Sequence, residues 1–221
     1  MDDKERIERL ENVLAQMLNP IQGVPFNIVI RSLCKKKIIK IDASSKADQK
    51  LIKMIGEAAK KCADEVKRKP IKRPRPNEVG NDIEDYVMRA LSAVGLRPER
   101  PAAANGRRQS TGYPDILIYD ESSRPTYLEC KIYAFGVEPT TMRSFYLSPS
   151  EMPKVSMDAR HLLLAFGVES SPINGDRNSN YRAKSFKLVD LHDLLCNVKY
   201  EFNSNNRELY AQNLLLSEGT F

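Results

Sequence analysis

The stretch GYPDILIYDESSRPTYLECKIY, residues 112–133, reads as two β-strands joined by a short polar turn. The first strand follows Asp115, the turn is ESSRP, and the second strand is TYLECKIY. Polar turn residues between two runs of β-branched and aromatic residues are typical of a β-hairpin. The strands are largely apolar, yet the second carries both Glu129 and Lys131, and these charged groups raise the question of what the hairpin does.

Strand alternation predicts that the charged groups of the hairpin converge. Alternate side chains of a strand share a face, so Glu129 and Lys131 lie together and Cys130 points the other way, as a core residue. If the two strands pair antiparallel, any register that joins odd positions to odd positions places Asp115 beside Glu129 or Lys131. We therefore expect two carboxylates and one amine on one face.

Two neighbouring carboxylates repel each other unless a proton or a cation lies between them. A hard divalent ion such as Mg²⁺ meets this need, because it binds a few carboxylate oxygens and keeps waters and phosphate oxygens as its other ligands. Such an ion polarises a phosphodiester and lowers the pKa of a bound water. The ammonium of Lys131 can orient that water or stabilise developing charge. The pattern favours metal-dependent phosphodiester hydrolysis.

The composition allows one full-sized core, or one core and a small additional domain, in 221 residues of which 41% are apolar. No apolar run approaches the roughly 18 to 20 residues that span a bilayer, and the charged start MDDKERIERL is unlike a signal peptide. These features predict a cytoplasmic protein without a membrane partner. Four cysteines without a CxxC pair and only two histidines argue against zinc fingers, histidine-metal nucleases and disulfide scaffolds.

The net charge of +6 is unevenly distributed along the chain. Residues 34–75 contain 15 Lys and Arg against 5 Asp and Glu, whereas the remainder is net acidic. A local basic excess suits a polyanion, because neutralised phosphates release condensed counterions. The alternative, left open by charge alone, is a solvated helix face followed by a basic connection.

The first part of the chain is predicted to be a mostly helical basic unit over residues 1–68, which contacts DNA or mediates dimerisation. Helical spacing of apolar residues indicates helices over 5–18 and 46–67. VPFNIVIRSL is compatible with a helix or a strand, and we favour the helix; KKKIIKID reads as a short strand. Prolines alternating with basic residues then predict a linker over 69–76.

The pattern changes in residues 77–221, which we assign to a second domain. GNDIEDYVMRALSAVGL predicts a helix with Asn81 or Asp82 as its N-cap and Gly95 as its stop. Strand-like runs follow, namely the hairpin, HLLLAFGVE and SFKLVDL, and a final helical or extended segment completes the chain. A helix followed by a cluster of strands is typical of an α/β architecture.

Pro114-Asp115, thirteen intervening residues and then Glu129-Cys130-Lys131 together resemble the PD-(D/E)xK nuclease superfamily. The resemblance implies a restriction-endonuclease-like fold, a mixed central sheet flanked by helices. It also implies that Asp115 and Glu129 bind Mg²⁺ and that Lys131 assists the attacking water. The helix acid of that superfamily maps onto Glu84; Glu78 is also available, and Glu84 is alternatively the third residue of a capping box.

The second half of the chain looks similar to type II restriction endonucleases, which implies a homodimer on double-stranded DNA and a companion DNA methyltransferase. Arg suits guanine, and Asn or Gln suits adenine, at base edges in the major groove. Two polar loops, 103–112 and 170–184, offer such side chains. The candidate DNA-contacting residues are Lys35, Lys36, Lys37, Arg107, Arg108, Gln109, Arg143, Asn178, Asn180 and Arg182.

Two other functions remain open from the sequence. A Holliday-junction resolvase or a DNA-repair nuclease would use the same helix and the same PD and ExK strands, because one fold supports many activities. A non-catalytic DNA-binding regulator would use the basic region, with the hairpin as structure and Glu129 and Lys131 as an ordinary ion pair.

Overall fold

The computed structural model of the chain describes residues 2–18, 21–103, 106, 112–136, 145–199, 206–209 and 214. The helices are α1 (Asp3–Met17), α2 (Phe26–Cys34), α3 (Lys46–Arg68), α4 (Pro76–Ala93) and α5 (Asn206–Leu209). The strands are β1 (Val24–Pro25), β2 (Ile71–Arg73), β3 (Arg97–Glu99), β4 (Ile116–Tyr119), β5 (Pro125–Ala134), β6 (Arg160–Pro172), β7 (Ser179–Asp190) and β8 (Leu195–Cys196). No helix in these ranges is both long enough and apolar enough to cross a membrane.

The chain divides into two units, one formed by Met1–Val24 with Leu195–Phe221 and the other by Pro25–Leu194. The first contains α1, which begins at the N-cap Asp2, whose carboxylate accepts a hydrogen bond from the backbone N–H of Lys4 at 2.7 Å. It also contains β8 and α5. The predicted N-terminal helix is therefore confirmed.

The second unit is built on a six-stranded sheet in the order β2-β7-β6-β5-β4-β3. Strands β5 and β6 run parallel, and every other neighbouring pair in this sheet is antiparallel. The sheet is therefore mixed, as expected, and with its helices it gives an α/β fold consistent with a restriction-endonuclease-like architecture. The β4–β5 hairpin over residues 112–133 is confirmed.

Helices α3 and α4 pack together on this sheet, α3 against β7 and α4 against β5. One hydrophobic core joins them, with Ile55 of α3, Ile83 of α4, and Ile116, Leu128 and Leu164 of the sheet all fully buried. Burial of this kind contributes about 1.5–3 kcal/mol for each large aliphatic side chain. The core therefore holds the helix that carries Glu84 against the strand that carries Glu129.

The division expected at 1–68, 69–76 and 77–221 stays a prediction, and the structure adds detail at its boundaries. Helix α3 shares its core with α4, and the expected linker contains β2, in which Ile71 is buried and pairs with Tyr181 of β7. The sequence does not predict this short strand, because Ile71 is its one buried side chain and a single apolar residue among prolines and basic residues produces no alternation.

The local predictions for α2 and α3 are confirmed, and two others are wrong. The expected strand in KKKIIKID is a single bridge between Ile38 and Ala159. Neither Asn81 nor Asp82 caps α4, because the helix begins earlier, at Pro76, a residue whose missing N–H suits the first turn. Asp82 instead accepts hydrogen bonds from the Arg73 guanidinium at 2.6 and 2.7 Å. Gly95 has φ +89° just beyond the helix end, as its predicted role as a stop requires.

A buried ion network ties α3 to the turn of the β4–β5 hairpin. The Asp48 carboxylate lies 2.7 Å from the Arg124 guanidinium and 2.8 Å from that of Arg160, which begins β6. Arg124 also lies 2.6 Å from Asp120 in the turn. Burial alone would raise the pKa of Asp48, but its backbone hydrogen bond and the two guanidinium groups outweigh burial and lower it.

Replacing Asp48 by Ala is expected to lower the free energy of unfolding by about 3 kcal/mol, because the buried Arg160 guanidinium loses this carboxylate and Arg124 keeps only the carboxylate of Asp120. Urea denaturation measures the change. The matched control on the same helix is Lys50→Ala, which breaks the exposed pair between Lys50 and Glu121 and should cost less than about 1 kcal/mol. If Asp48→Ala lowered the free energy of unfolding by less than about 1 kcal/mol, as expected for the control, the network would not stabilise the fold.

Candidate active site

The structure brings Asp115 and Glu129 together at the start of the hairpin. The register pairs Ile116 with Leu128 and Leu117 with Tyr127, so its continuation sets Asp115 opposite Glu129, one of the two neighbours that the alternation predicts. Asp115 directly precedes β4, and its Oδ2 accepts a hydrogen bond from the backbone N–H of Cys130 at 2.8 Å. The two carboxylates are thus positioned by the sheet itself.

Glu129 is a buried acid with one oxygen engaged and one free of hydrogen bonds. Glu129 is only 3% exposed, and the Nζ of Lys131 lies 2.7 Å from its Oε1. Its Oε2 is buried and has no hydrogen-bond partner in the described part of the chain. Burial, and then the negative charge of Asp115, raise the pKa of Glu129 to about 7, against the opposing effect of Lys131. A proton or a further cation would relieve the repulsion between these two carboxylates.

Lys131 supplies the positive charge of the hairpin. Burial by itself would lower the pKa of its ammonium, but the carboxylates of Glu129 and Asp115 outweigh burial and raise it. The group is consequently charged at neutral pH. Its side chain is about one third exposed, so it is also open to a solvent-borne ligand.

Glu84 of α4 is an acid whose pKa responds to Asp115 at the start of the hairpin. Burial and the negative charge of Asp115 raise the pKa of Glu84, while the Arg100 guanidinium, 2.9 Å from its Oε2, acts in the opposite direction. Because α4 begins at Pro76, Glu84 lies two turns inside the helix. The capping-box interpretation of Glu84 is therefore wrong.

Lys154 is a member of the site that sequence reasoning missed. It is buried, and its Nζ donates hydrogen bonds to the carbonyl oxygens of Gly112 at 2.7 Å and Pro114 at 3.2 Å. Burial lowers its pKa, while the charges of Asp115, Glu129 and Glu84 oppose that change. One ammonium thus holds the turn that leads into Asp115 and faces all three acids.

An aromatic cluster supports the same turn. The Tyr113 hydroxyl lies 2.6 Å from Nδ1 of His161, and the two rings are stacked with centroids 5.8 Å apart. Phe26 meets Tyr113 edge-on at 5.4 Å. Burial lowers the pKa of His161 to about 3, so this histidine is neutral. These contacts fix the backbone just before Pro114 and add no charge to the site.

The chemistry of the donors fits a hard divalent ion. Among the described residues, no group of three or more His, Cys, Asp or Glu forms a metal-binding cluster. Asp115 and Glu129 nevertheless offer two carboxylates, one of which has a buried oxygen without a partner. Mg²⁺ commonly binds through one or two carboxylates and keeps several waters. The pair therefore suits Mg²⁺ better than a metal that needs a full set of protein ligands.

Three basic residues directly follow α2, whose last residue borders the candidate active site. Cys34, the last residue of α2, lines a small cavity of about 60 Å³ together with Gly112 and Lys154. The next three residues, Lys35, Lys36 and Lys37, line an open cleft of about 590 Å³ with Arg31. These three candidate DNA-contacting lysines therefore come directly after a residue that borders the candidate active site.

Of the other seven candidate DNA-contacting residues, three lie in the β6–β7 hairpin and four lie outside the described residues. The stretch 170–184 is mainly the β6–β7 hairpin, not a loop, because β6 continues to Pro172 and β7 begins at Ser179. Asn178 lies in its turn and Asn180 in β7, while the exposed Arg182 donates a hydrogen bond to Oγ of Ser171 at 3.2 Å. Arg107, Arg108, Gln109 and Arg143 lie outside the described residues.

Comparison with known proteins gives a consistent result. The model of the type II restriction enzyme MjaV family matches residues 20–213. The type II restriction enzyme MjaV of Methanocaldococcus jannaschii is 38% identical over 233 residues, which cover 99% of this chain and 98% of that protein. No solved structure matches the chain. The matched range includes the hairpin, α4 and Lys154.

Proposed function

Because the chain belongs to the type II restriction enzyme MjaV family and is a site-specific deoxyribonuclease, we propose that Asp115, Glu129 and Lys131 form its active site. The reaction is hydrolysis of phosphodiester bonds in both strands of double-stranded DNA. The observation that carries the proposal is the convergence of two carboxylates and a charged amine at the start of one hairpin. The family match favours this activity over a junction resolvase, a repair nuclease or a non-catalytic regulator.

Type II restriction enzymes generally use divalent metal ions, and here the donors favour Mg²⁺ held by Asp115 and Glu129. A bound ion would polarise the phosphodiester and would make the attacking water more acidic. Glu129 must be ionised to act as a ligand, and its pKa of about 7 means that a proton competes for the same carboxylate near neutral pH.

The remaining polar groups orient this pair. Lys131, held by Glu129 at 2.7 Å, donates a hydrogen bond to the attacking water or to the developing charge on the phosphate. Lys154 holds the Gly112–Pro114 turn, which sets the position of Asp115. Glu84, anchored by Arg100, supplies the third acid on the α4 side of the site.

We assign DNA binding to two groups of residues. Lys35, Lys36 and Lys37 contact backbone phosphates without regard to sequence, so they determine how steeply affinity falls with salt, a slope that filter binding measures. Asn178, Asn180 and Arg182, together with Arg107, Arg108, Gln109 and Arg143, contact the duplex and contribute the base-edge contacts that specify the site.

Cutting both strands of a palindromic site calls for two active sites related by a two-fold axis, so the functional form is a homodimer. A DNA methyltransferase that modifies the same site is its companion in the cytoplasm, because an endonuclease of this kind would otherwise cut the DNA of its own cell.

Incubation of purified protein with plasmid DNA and Mg²⁺ is expected to give discrete fragments that share one terminal sequence. Removing the metal with EDTA should stop cleavage, and restoring Mg²⁺ should recover it. Sequencing of the fragment ends defines the recognition site and the cut position. Unspecific degradation, or preferential cutting of a four-way junction over linear duplex, would contradict the proposal.

A further inference from the structure

Helix α1 presents an apolar face that nothing in the described chain covers. Every residue of α1 is exposed, including the apolar ones. Ile7, Leu10, Leu14 and Met17 are between 38% and 56% exposed. Large aliphatic side chains in a continuous stripe are costly to leave in water, and such stripes mark interaction surfaces.

The spacing of this stripe is that of a coiled coil. Ile7 and Leu14 are seven residues apart, and Leu10 and Met17 repeat the same interval three residues later. This pattern occupies the a and d positions of two heptads, and the first of them, with Ile7 at a and Leu10 at d, is the combination that favours two-stranded parallel coiled coils. We propose that α1 pairs in parallel and in register with α1 of a second copy of this chain.

The charges beside the stripe fit the parallel arrangement. With Ile7 at position a, Arg6 occupies position g and Glu11 position e. In a parallel pair each g residue faces the e residue five positions further along the partner, so Arg6 lies beside the partner's Glu11, twice by symmetry. The next such pair joins Val13 with Leu18, which are both apolar and exposed. An antiparallel pair would instead set Glu11 beside the partner's Glu11.

The polar face of α1 argues against a membrane as the occupant. Helix α1 contains four acidic and three basic residues, whereas helices that lie on anionic bilayers carry a basic polar face. A second copy is therefore the better fit. The inference rests on the proposed homodimer and names the surface through which the two copies meet.

Sedimentation equilibrium of the full chain tests the surface. The unmodified protein is expected to be a dimer at about 10 μM, and the double variant Leu10→Glu, Leu14→Glu should raise the dimer dissociation constant by at least about 100-fold, because four carboxylates would enter the seam. Asn12→Glu, at an exposed position of the same helix outside the stripe, is the control and should leave the dimer intact. A monomeric parent protein, or a double variant that dimerises like the parent, would overturn the inference.

Thiol cross-linking tests the orientation even if the charged variant fails to fold. Under mild oxidation, Leu14→Cys alone should form a disulfide-linked dimer, because equivalent a positions face each other in a parallel pair and meet the distance that a disulfide requires. The unmodified protein, which keeps its own four cysteines, is the background control. Cross-linking only when Leu10→Cys is mixed with Leu14→Cys would indicate an antiparallel pair and overturn the parallel arrangement.

Cleavage assays separate this inference from the proposed function. If the parent protein cuts plasmid DNA but dimerises without α1, the surface is wrong and the endonuclease assignment stands. If the parent protein dimerises through α1 but never cuts DNA with Mg²⁺, the surface stands and the proposed active site is wrong.

Discussion

Replacing Glu129 by Gln is expected to lower the rate of DNA cleavage on the order of 1,000-fold while changing DNA affinity less than about 10-fold. The amide has nearly the shape of the carboxylate, so packing is retained, but the buried Oε2 no longer offers a negative charge to a metal ion. Single-turnover cleavage with saturating Mg²⁺ measures the rate, and filter binding without metal measures affinity.

Glu121→Gln is the matched control, because Glu121 is an exposed acid in the turn of the same hairpin. It should cut DNA at the rate of the parent protein. If Glu129 and Lys131 instead formed an ordinary structural ion pair, replacing either residue should leave cleavage intact. If Glu129→Gln and Lys131→Met both retained cleavage within a few-fold of the parent protein, the 2.7 Å pair would be structural and the active site would lie elsewhere.

The hairpin was predictable from the sequence because local rules determine it. A period of two, a polar turn and the odd-to-odd register are all visible along one short stretch, and they place Asp115 beside Glu129 or Lys131. The register of the structure then selects Glu129. The start of α4 was not predictable locally. The helix begins at Pro76, which removes the capping-box interpretation of Glu84, whereas both Asn81 and Asp82 are residue types that favour a later start.

The other errors share one physical cause, which is that tertiary contacts leave no periodic signal. Ile71 joins β2 to β7 from within a stretch that otherwise consists of prolines and basic residues. The β6–β7 hairpin is polar at its tip, so the sequence predicts its two strands but assigns their ends, residues 170–172 and 179–184, to a loop. Lys154 lies far along the chain from the turn that it holds, in a segment without an apolar period.

Replacing Lys154 by Met is expected to lower kcat by about 10- to 100-fold with little change in KM for DNA, the size of effect typical of groups that orient metal ligands. The carbonyl oxygens of Gly112 and Pro114 lose their shared donor, so the turn no longer fixes Asp115. Cleavage kinetics across Mg²⁺ concentrations measure the effect, and calorimetry of Mg²⁺ binding to the free protein gives a readout that does not depend on activity. Lys50→Met, which removes an exposed lysine from α3, is the control and should change neither quantity.

The direction of the change in metal affinity separates the two roles that Lys154 combines. As a positive charge near Asp115, Glu129 and Glu84, its ammonium repels a metal ion, so charge alone predicts tighter Mg²⁺ binding by Lys154→Met. As the donor that holds the turn, it positions one of the two ligands, so its loss predicts weaker binding. We expect the weaker binding, because a misplaced carboxylate loses its metal contact whereas a nearby charge only modulates it.

Lys154→Arg keeps the charge but replaces the compact ammonium with a planar fork, so it should fail to restore cleavage. Tighter Mg²⁺ binding by Lys154→Met, together with full activity of Lys154→Arg, would instead show that only the charge matters.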